Sequence, residues 1–443
     1  MKFSRHKLLI LAFGSVVVSL MTTPAFSENL LQVYQHALQN DAQIKASEAG
    51  YLAILEKRPQ ALSALKPRID LGGSATYNLQ QIERTRFRDG GGAFLNLGYN
   101  LNLTKPLIHK EIQAQIGQVD ASILQAKANL EAERQKLIIR VAEAYFQYLK
   151  AQEALTFASA EKNAINHQLR QVKAYFDAGR SAITDVKEAR ARYDQAVALE
   201  VVAKQQIDIA KEGLKAITTR YYKHLAGASS KTPLLIPKPN NINQWTQSAI
   251  KNSLMVTAAT HAVTAAQKAV EIARAAKSPS VDLFARHSGN TTQGESLFDQ
   301  DKFDATIGIQ FNLPLYRGGS ISSRIREARH KLHQAQQQLE AQKRIVAQQT
   351  RAAFTTIISG LAQVKAFKQA LNSTQTAARA TQVGFEAGTR TALDVLLALR
   401  ETFRAKRDYS TARYDFLLNT LKLKQAAGIL SEKDIVALSR LLR

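Results

Sequence analysis

The sequence predicts an α+β membrane protein, built by internal duplication, with four membrane-crossing strands and two pairs of very long helices in each chain. Three observations predict this fold. The two halves of the 443-residue chain repeat one pattern at a nearly constant offset. Each half contains paired stretches in which apolar and polar residues alternate. Each half also contains about 70 consecutive residues without proline, far more than the roughly 11–12 residues of an average helix.

The composition excludes several classes of protein. Apolar residues make up 45% of the chain, which is enough for a large core, and 21 glycines and 9 prolines are too few for a collagen-like or low-complexity protein. Because cysteine is absent, disulfide scaffolds, thiolate metal sites, cysteine nucleophiles and cysteine-anchored lipids are excluded. After residue 27, no apolar run approaches the roughly 20 residues of a membrane-spanning helix. A helical membrane protein is therefore not expected.

Residues 1–27 have the pattern of a secretory signal peptide. Three basic residues precede an apolar stretch at 8–21, and Ala25-Phe26-Ser27 offers a cleavage site. The apolar stretch is too short for the alternative, an N-terminal membrane anchor. We therefore expect an exported protein whose mature chain begins at Glu28.

The mature chain is strongly basic. Without residues 1–27, which contain three basic residues and no acid, the formal net charge falls from +24 to +21. Lysines and arginines are spread along helical patterns and often stand beside acids, with no compact basic cluster. This spacing is typical of solvated helix faces, so a nucleic-acid partner is not expected. A lumen suited to anionic cargo is the alternative that the charge leaves open.

Two copies of one unit account for nearly all of the mature chain. Residues 29–78 align with 241–290 at an offset of 212, and 175–179 align with 384–388 at an offset of 209. Chance similarity between helices would not keep this register over so long a stretch. The predicted divisions are the signal peptide at 1–27, the first repeat at 28–228, a connector at 229–245, the second repeat at 246–428 and a C-terminal segment at 429–443.

Each repeat begins with a helix, predicted over 29–66 in the first copy, and continues with a β-hairpin. In the hairpins at 68–104 and 280–313, apolar residues alternate with Asn, Thr, Ser and Asp, which predicts strands with one apolar and one polar face. A polar, glycine-rich tip at 86–92 separates the first two strands. Strands of about 10–13 residues are long enough to cross a bilayer at a tilt. The alternative is a half-exposed sheet of a soluble protein.

The number of strands determines how the chains must assemble. In lipid every strand edge must be paired, so the strands must belong to a closed barrel. Four strands are too few to close one, and several chains must therefore contribute. Two chains would give eight strands, which fill their own interior, whereas three would give twelve, which leave a channel. The pattern favours three chains for a pore without excluding two.

A very long helix follows each hairpin, over about 107–178 and about 315–387. At 1.5 Å per residue, such a helix spans about 108 Å, more than any compact domain. Each ends at a glycine, Gly179 or Gly388, and the chain then reverses into a second long helix. A soluble coiled-coil rod would explain these helices but neither the hairpins nor the export signal. We expect a tube that projects from an outer membrane into the periplasm.

The two helix turns carry the most specific motifs, AGRSAITDV at 178–186 and AGTRTALDVL at 387–396. With the duplicated hairpins, they resemble the TolC family of outer-membrane conduits for efflux and type I secretion. The resemblance covers about 29–440. It implies a homotrimer in outer-membrane lipid, with a twelve-stranded transmembrane β-barrel continued by a periplasmic α-helical barrel. An equatorial belt would come from 225–245 and the C-terminal segment.

The resemblance also implies a passive channel that partners open. A periplasmic adaptor and an inner-membrane pump, of RND or ABC type, would act on the tip of the helical barrel. Thr184 and Asp185 match the family's threonine–aspartate pair at the closed tip, Gln171 its glutamine and Arg390 its arginine. The family's tyrosine is replaced by Phe385, which has no hydroxyl to donate. The gate is therefore expected to depend mainly on a charge-assisted contact between Arg390 and Asp185.

A ring of charge at the tunnel entrance is a further implied feature. Asp394 matches one of the family's two aspartates, and Leu397 stands at the other position. Three copies of Asp394 would face a narrow lumen, where rings of charge set ion selectivity. The spacing alone also permits an ordinary salt bridge within one helix, because Arg390 and Asp394 lie four residues apart.

No enzymatic site is expected. His330 and His333 lie three residues apart but lack a third metal ligand, and the chain has no phosphate loop, dinucleotide fingerprint or nucleophile elbow. We therefore expect no catalytic residue, no cofactor and no metal. Two alternatives to a channel remain. One is a structural coiled-coil protein of the cell envelope, and the other is an envelope hydrolase, for which the periodicity provides no polar cleft.

Overall fold

The computed structural model describes residues 28–82, 90–228, 232–234, 236–294 and 301–442. The predicted signal peptide lies outside the described residues, as do residues 86–89 of the predicted hairpin tip and parts of the predicted connector. In chain order the elements are α1 (Leu30–Asn40), α2 (Ala42–Leu55), α3 (Lys57–Ser63), β1 (Arg68–Ile82), β2 (Gly90–Ile108), α4 (Lys110–Asp177), α5 (Ile183–Thr218), α6 (Ile242–Asn252), α7 (Leu254–Ala275), β3 (Ser280–Gly294), β4 (Asp301–Asn312), α8 (Ser320–Glu386), α9 (Ala392–Ala426) and α10 (Glu432–Ser439).

The segment before each hairpin is divided into separate helices, whereas the sequence predicts one helix over 29–66. Asp41 has extended backbone, and its carboxylate accepts the Ile44 N–H at 2.8 Å, which ends α1 and begins α2. Ser253, the equivalent residue of the second copy, separates α6 from α7 by accepting from the Val256 N–H. A side chain that caps the next helix thus interrupts a run of helix-forming residues, and both copies keep this break.

The four strands form one antiparallel sheet in the order β1-β2-β3-β4, so the two hairpins pair through β2 and β3. Ile69 pairs with Leu103, Leu103 with Ala285, and Ala285 with Ile307. Because paired residues have the same parity, except where the β2–β3 register shifts between Pro106 and Ile108, the apolar sides of both hairpins share one face. The strands have 15, 19, 15 and 12 residues, so three are longer than predicted. β2 runs on to Ile108 because its last residues pair with β3 of the other hairpin.

The apolar face of the sheet is exposed in the single chain. Leu71, Leu79 and Ile307 keep 75%, 80% and 77% of their surface accessible. An exposed apolar area of this kind is typical of contact with lipid or with another protein. β1 and β4 are the outer strands of the described sheet, and each therefore has one edge without a partner strand. The sheet of one chain is thus incomplete on its apolar face and at both edges.

The two long helices are nearly equal, with 68 residues in α4 and 67 in α8. Gly318 and Gly319 have φ values of 57° and 78° and delay the start of α8 to Ser320. α4 packs on α5, and α8 packs on α9, so each copy forms a helical hairpin. Among the described helices, none is both long and apolar enough to cross a membrane.

The largest core lies where helices of both copies meet the connector. Ala228, the residue before the connector, pairs with Leu442 at the end of the described chain in an isolated bridge. The buried Tyr145 hydroxyl donates to the carbonyl of Ala226 at 2.7 Å. Burial raises the pKa of Tyr145, so the hydroxyl keeps the proton that it donates. These contacts hold the C-terminal segment and the residues that lead into the connector against α4, about midway along its length.

The two faces of the sheet should tolerate charge differently. Ile307→Lys places an ammonium group on the apolar face, and we expect it to cost about 2–4 kcal/mol in a bilayer. The amount of SDS-resistant oligomer recovered from membranes should therefore be lower for this variant than for the unmodified protein. Ser288→Lys is the matched control, since Ser288 lies on the polar face opposite Asp304. Equal loss of oligomer from both variants would contradict the assignment of the two faces.

Candidate functional site

Left-handed glycines close both helix turns at the end of the molecule far from the sheet. Gly179 has a φ of 71° and Gly388 has a φ of 78°, which residues with a Cβ rarely adopt. In each turn the residue after the glycine donates its N–H to the carbonyl five residues back, at 2.7 and 2.8 Å. The two turns therefore have the same backbone, in agreement with their aligned sequences.

The Asp185 carboxylate caps α5 just after the first turn. Its Oδ2 accepts the hydroxyl of Ser181 at 2.7 Å and the backbone N–H of Ala182 at 3.2 Å. A carboxylate at a helix start satisfies unpaired N–H groups and interacts favourably with the positive end of the helix dipole. Thr184 beside it is exposed. Asp185 thus supports its own helix, whatever further contact it makes.

Asp394 has the equivalent position after the second turn. Its Oδ2 accepts the N–H and the hydroxyl of Thr391 at 3.0 and 2.9 Å, and its own N–H donates to that hydroxyl oxygen. These hydrogen bonds, with a smaller effect of the Arg390 charge, hold the pKa of Asp394 below its ordinary value of 3.8. Asp394 is therefore ionised at neutral pH. Leu397, at the second predicted ring position, is 39% exposed.

An aromatic contact joins the two turns within one chain. The rings of Tyr175 and Phe385 lie 5.7 Å apart between centroids and are inclined by 34°. Gln171 donates from Nε2 to the Tyr175 hydroxyl at 3.3 Å, and the Arg180 guanidinium lies 5.2 Å from the centre of the same ring. Tyr175, which is not among the predicted site residues, therefore connects Gln171 with Phe385. Its signal in the sequence is an aromatic residue where the second copy has Gly384.

Within the described part of a single chain, Arg390 and Asp185 form no ion pair. Arg390 is exposed, and its aliphatic stem lies over Gly384, where a Cβ would come within 2.8 Å of the Arg390 Cγ. The two residues lie on turns that the aromatic contact already holds together. The predicted Arg390–Asp185 contact therefore stays a prediction about the assembled protein.

A row of polar contacts, which we name the α4–α9 seam, joins a helix of the first copy to a helix of the second. The Arg407 guanidinium pairs with the Glu161 carboxylate at 2.9 Å, and the Glu161 side chain is only 2% exposed. Burial raises the pKa of Tyr414, which donates its hydroxyl to Glu153 at 2.6 Å. From the turns upward, the seam consists of Arg407–Glu161, Ser410–Glu153, Tyr414–Glu153, Lys150–Asp415 and Lys422–Glu143.

The seam ends before the turns are reached. Glu161 lies about 16 residues before the end of α4. Between Glu161 and the turn, the two repeats meet through apolar side chains. Leu396 of α9, which is 1% exposed, packs in a cluster with Ile165 of α4 and Ala189 of α5. The tip is thus held by apolar and aromatic packing, whereas the helices above it combine the polar contacts of the seam with the largest apolar core.

The sequence matches the family described as Outer membrane efflux protein over residues 33–220 and 245–429. The chain belongs to this family. It is 34% identical over 433 residues to Outer membrane protein TolC of Escherichia coli (strain K12), which covers 94% of this chain and 85% of TolC. It is 27% identical over 441 residues to Proteases secretion protein PrtF of Dickeya chrysanthemi, which covers 98% and 95% of the two chains.

Solved structures of the same fold agree with this assignment. CusC superposes with a TM-score of 0.78 at 18% identity, covering 91% of this chain and 92% of CusC. The outer membrane protein VceC from Vibrio cholerae superposes with a TM-score of 0.74 at 20% identity, covering 90% and 96%. The predicted fold class is therefore confirmed. This outer membrane efflux protein is a channel protein of the outer membrane, in the class that serves efflux and type I secretion.

The buried ion pair at one end of the seam should contribute more to the free energy of unfolding of this efflux protein than the exposed ion pair at the other end. Arg407→Ala leaves the Glu161 carboxylate buried without a partner, and we expect it to lower the free energy of unfolding by about 3–5 kcal/mol. Lys422→Ala is the control, because both side chains of the Lys422–Glu143 pair are at least 40% exposed and its loss should cost about 0–1 kcal/mol. Denaturant unfolding of the purified protein, followed by circular dichroism, measures both. Equal losses would show that burial of the pair is unimportant.

Proposed function

We propose that three copies of this chain form one passive conduit through the outer membrane and into the periplasm. The observation that supports this most directly is the sheet of a single chain, which has one largely apolar, exposed face and, within the described residues, two edges without partner strands. In lipid such edges must be paired, and twelve strands close a barrel with a lumen. The long helices would continue that lumen as a tunnel. A structural coiled-coil protein would not need this sheet.

Within each chain, the two repeats, the connector and the C-terminal segment are proposed to form different parts of the conduit. We propose the divisions predicted from the sequence: repeats at 28–228 and 246–428, a connector at 229–245 and a C-terminal segment at 429–443. Each repeat would supply one hairpin to the barrel and one helical pair to the tunnel. The connector and the C-terminal segment would form a belt around the helices, which their contacts with α4 support.

The closed gate of this conduit would lie at the two helix turns. We propose that Arg390 contacts Asp185 across helices of the assembled ring, with Thr184 and Gln171 beside this contact. The exposure of Arg390 and Thr184 in the single chain supports this, because both remain available to a neighbouring helix. Phe385 would contribute through its ring contact with Tyr175 and not through a hydroxyl hydrogen bond.

Opening would require partners, because the chain is proposed to carry no catalytic residue and no cofactor of its own. A periplasmic adaptor and an inner-membrane pump of RND or ABC type would supply the energy and displace the tip contacts. The α4–α9 seam supports a division of the motion at Glu161–Arg407. Helices above this pair would stay together, while the apolar and aromatic tip below it would move.

The relatives suggest two classes of cargo. PrtF and the Alkaline protease secretion protein AprF of Pseudomonas aeruginosa carry names that refer to protein secretion. The Outer membrane efflux protein BepC of Brucella suis carries a name that refers to efflux. We propose that this conduit likewise serves small molecules, proteins or both, according to the pump that docks on it.

Single-channel currents test the gate. Arg390→Ala and Asp185→Asn each remove one charge of the proposed contact, and loss of a charge-assisted hydrogen bond of about 1.5–3 kcal/mol should raise the open probability roughly tenfold or more. Asp185 also caps α5, so Ser181→Ala is the control. It removes one hydrogen bond of the cap and leaves both charges, and its currents in planar bilayers should resemble those of the unmodified protein.

Two results would change this proposal. If Ser181→Ala opens the channel as much as Asp185→Asn, the cap and not the ion pair holds the gate. If the purified oligomer carries no current in any variant, the conduit itself is contradicted.

The entrance ring makes a prediction about how the ion selectivity of the channel responds to pH. Asp394 has a lowered pKa, so its charge is fully present above the ordinary carboxyl range and is lost only as the pH falls below 3.8. We therefore expect the cation preference of the open channel to be unchanged between pH 7 and pH 5, and to decrease in Asp394→Asn at both values. Reversal potentials in a salt gradient measure it. A cation preference that falls between pH 7 and pH 5 to the same extent in Asp394→Asn would assign selectivity to another group.

A further inference from the structure

A basic groove lies directly below the strands, where the first turn of α4 meets the last turn of α7. β2 ends at Ile108, two residues before α4 begins, and β3 begins at Ser280, five residues after α7 ends. The groove has a volume of about 480 Å³, and its charged lining consists of Lys110, Lys268, Arg274 and Glu271. It is therefore placed at the boundary between the membrane-crossing strands and the helices.

The groove has an excess of positive charge. Both carboxylate oxygens of Glu271 accept from the Lys268 ammonium, at 3.0 and 2.8 Å, so these two groups neutralise each other. Within the described part of the chain, Lys110 and Arg274 have no carboxylate within 4.0 Å. Glu111, on the first turn of α4, is exposed and does not line the groove. Lys110 and Arg274 are therefore available to bind an anion, and the positive end of the α4 helix dipole adds to their positive potential.

Exposed apolar residues lie two and three positions before Lys110 in the chain. Leu107 and Ile108 are 48% and 54% exposed, and Ile108 pairs with Val281 of the apolar face after a register shift in β2 between Pro106 and Ile108. The second copy repeats the order of apolar residues followed by cations, with Leu315 and Tyr316 almost fully exposed just before Arg317. An anionic group next to a surface for acyl chains is the chemistry of a phospholipid, whereas a free anion would need no such surface.

We propose that the groove binds the phosphate group of an anionic phospholipid from the periplasmic leaflet of the outer membrane. Lys110 and Arg274 contact the phosphate oxygens, and the acyl chains lie along Leu107 and Ile108. The inference rests on the proposed function, because it requires the helices to project into the periplasm. The lipid would hold the barrel at a defined depth, since its headgroup marks the membrane surface.

Native mass spectrometry of the intact detergent-purified oligomer tests the site with phosphatidylglycerol and, in parallel, with phosphatidylcholine. The double variant Lys110→Gln/Arg274→Gln should bind phosphatidylglycerol roughly 10- to 30-fold more weakly, since each cation near a lipid surface contributes about a factor of five. The matched control is Lys365→Gln/Lys368→Gln, which removes two exposed cations far along α8. It should retain phosphatidylglycerol fully, and phosphatidylcholine should bind weakly to every variant.

Unchanged retention of phosphatidylglycerol by the groove variant would overturn the inference. So would displacement of the lipid by inorganic phosphate at equal concentration, because it would make the groove a site for free anions. Channel currents recorded from the same preparations separate this inference from the proposed function. Normal currents together with unchanged lipid retention contradict the groove alone, whereas absent currents in all variants contradict the conduit.

Discussion

The pairing of β2 with β3 joins two hairpins that are almost two hundred residues apart in the sequence, and it matches residues of the same parity from Phe94 to Pro106. Had the register shifted by one residue, the apolar side of one hairpin would lie on the polar side of the other. With the observed register, one face of the four-stranded sheet is apolar and exposed, and the other is polar. The position of the long helices follows, because α4 begins two residues after β2 ends and α8 begins eight residues after β4 ends.

Duplication gives the two helix turns one backbone but different side chains. Asp185 and Asp394 are equivalent residues, and each caps its own helix. The turns differ at Tyr175 and Gly384, so only the first copy supplies the aromatic ring that meets Phe385. A symmetric pair of motifs thus becomes an asymmetric contact. The α4–α9 seam adds a second asymmetry, because its buried ion pair lies above the tip, whereas the tip itself is packed by apolar and aromatic side chains.

Much of the fold could be predicted from local patterns. Alternation with a period of two marks the hairpins, long stretches without proline mark α4 and α8, and glycine in the turn motifs marks Gly179 and Gly388. The break at Asp41 could not be predicted from helix propensity, because one capping side chain outweighs several helix formers. The length of β2 could not be predicted either, since its last residues are held only by pairing with β3.

For the candidate site, the sequence by itself determined which residue types stand at the turns, because turn geometry and helix capping are set within a few residues. It determined the aspartates at the starts of α5 and α9, Arg390, and the replacement of a tyrosine by Phe385. Only the tertiary structure decided that Tyr175 links Gln171 to Phe385, that Glu161 is buried against Arg407, and that Lys110 and Arg274 line one groove. These contacts join residues far apart in the chain, so their distances depend on how two whole copies pack and not on any local pattern.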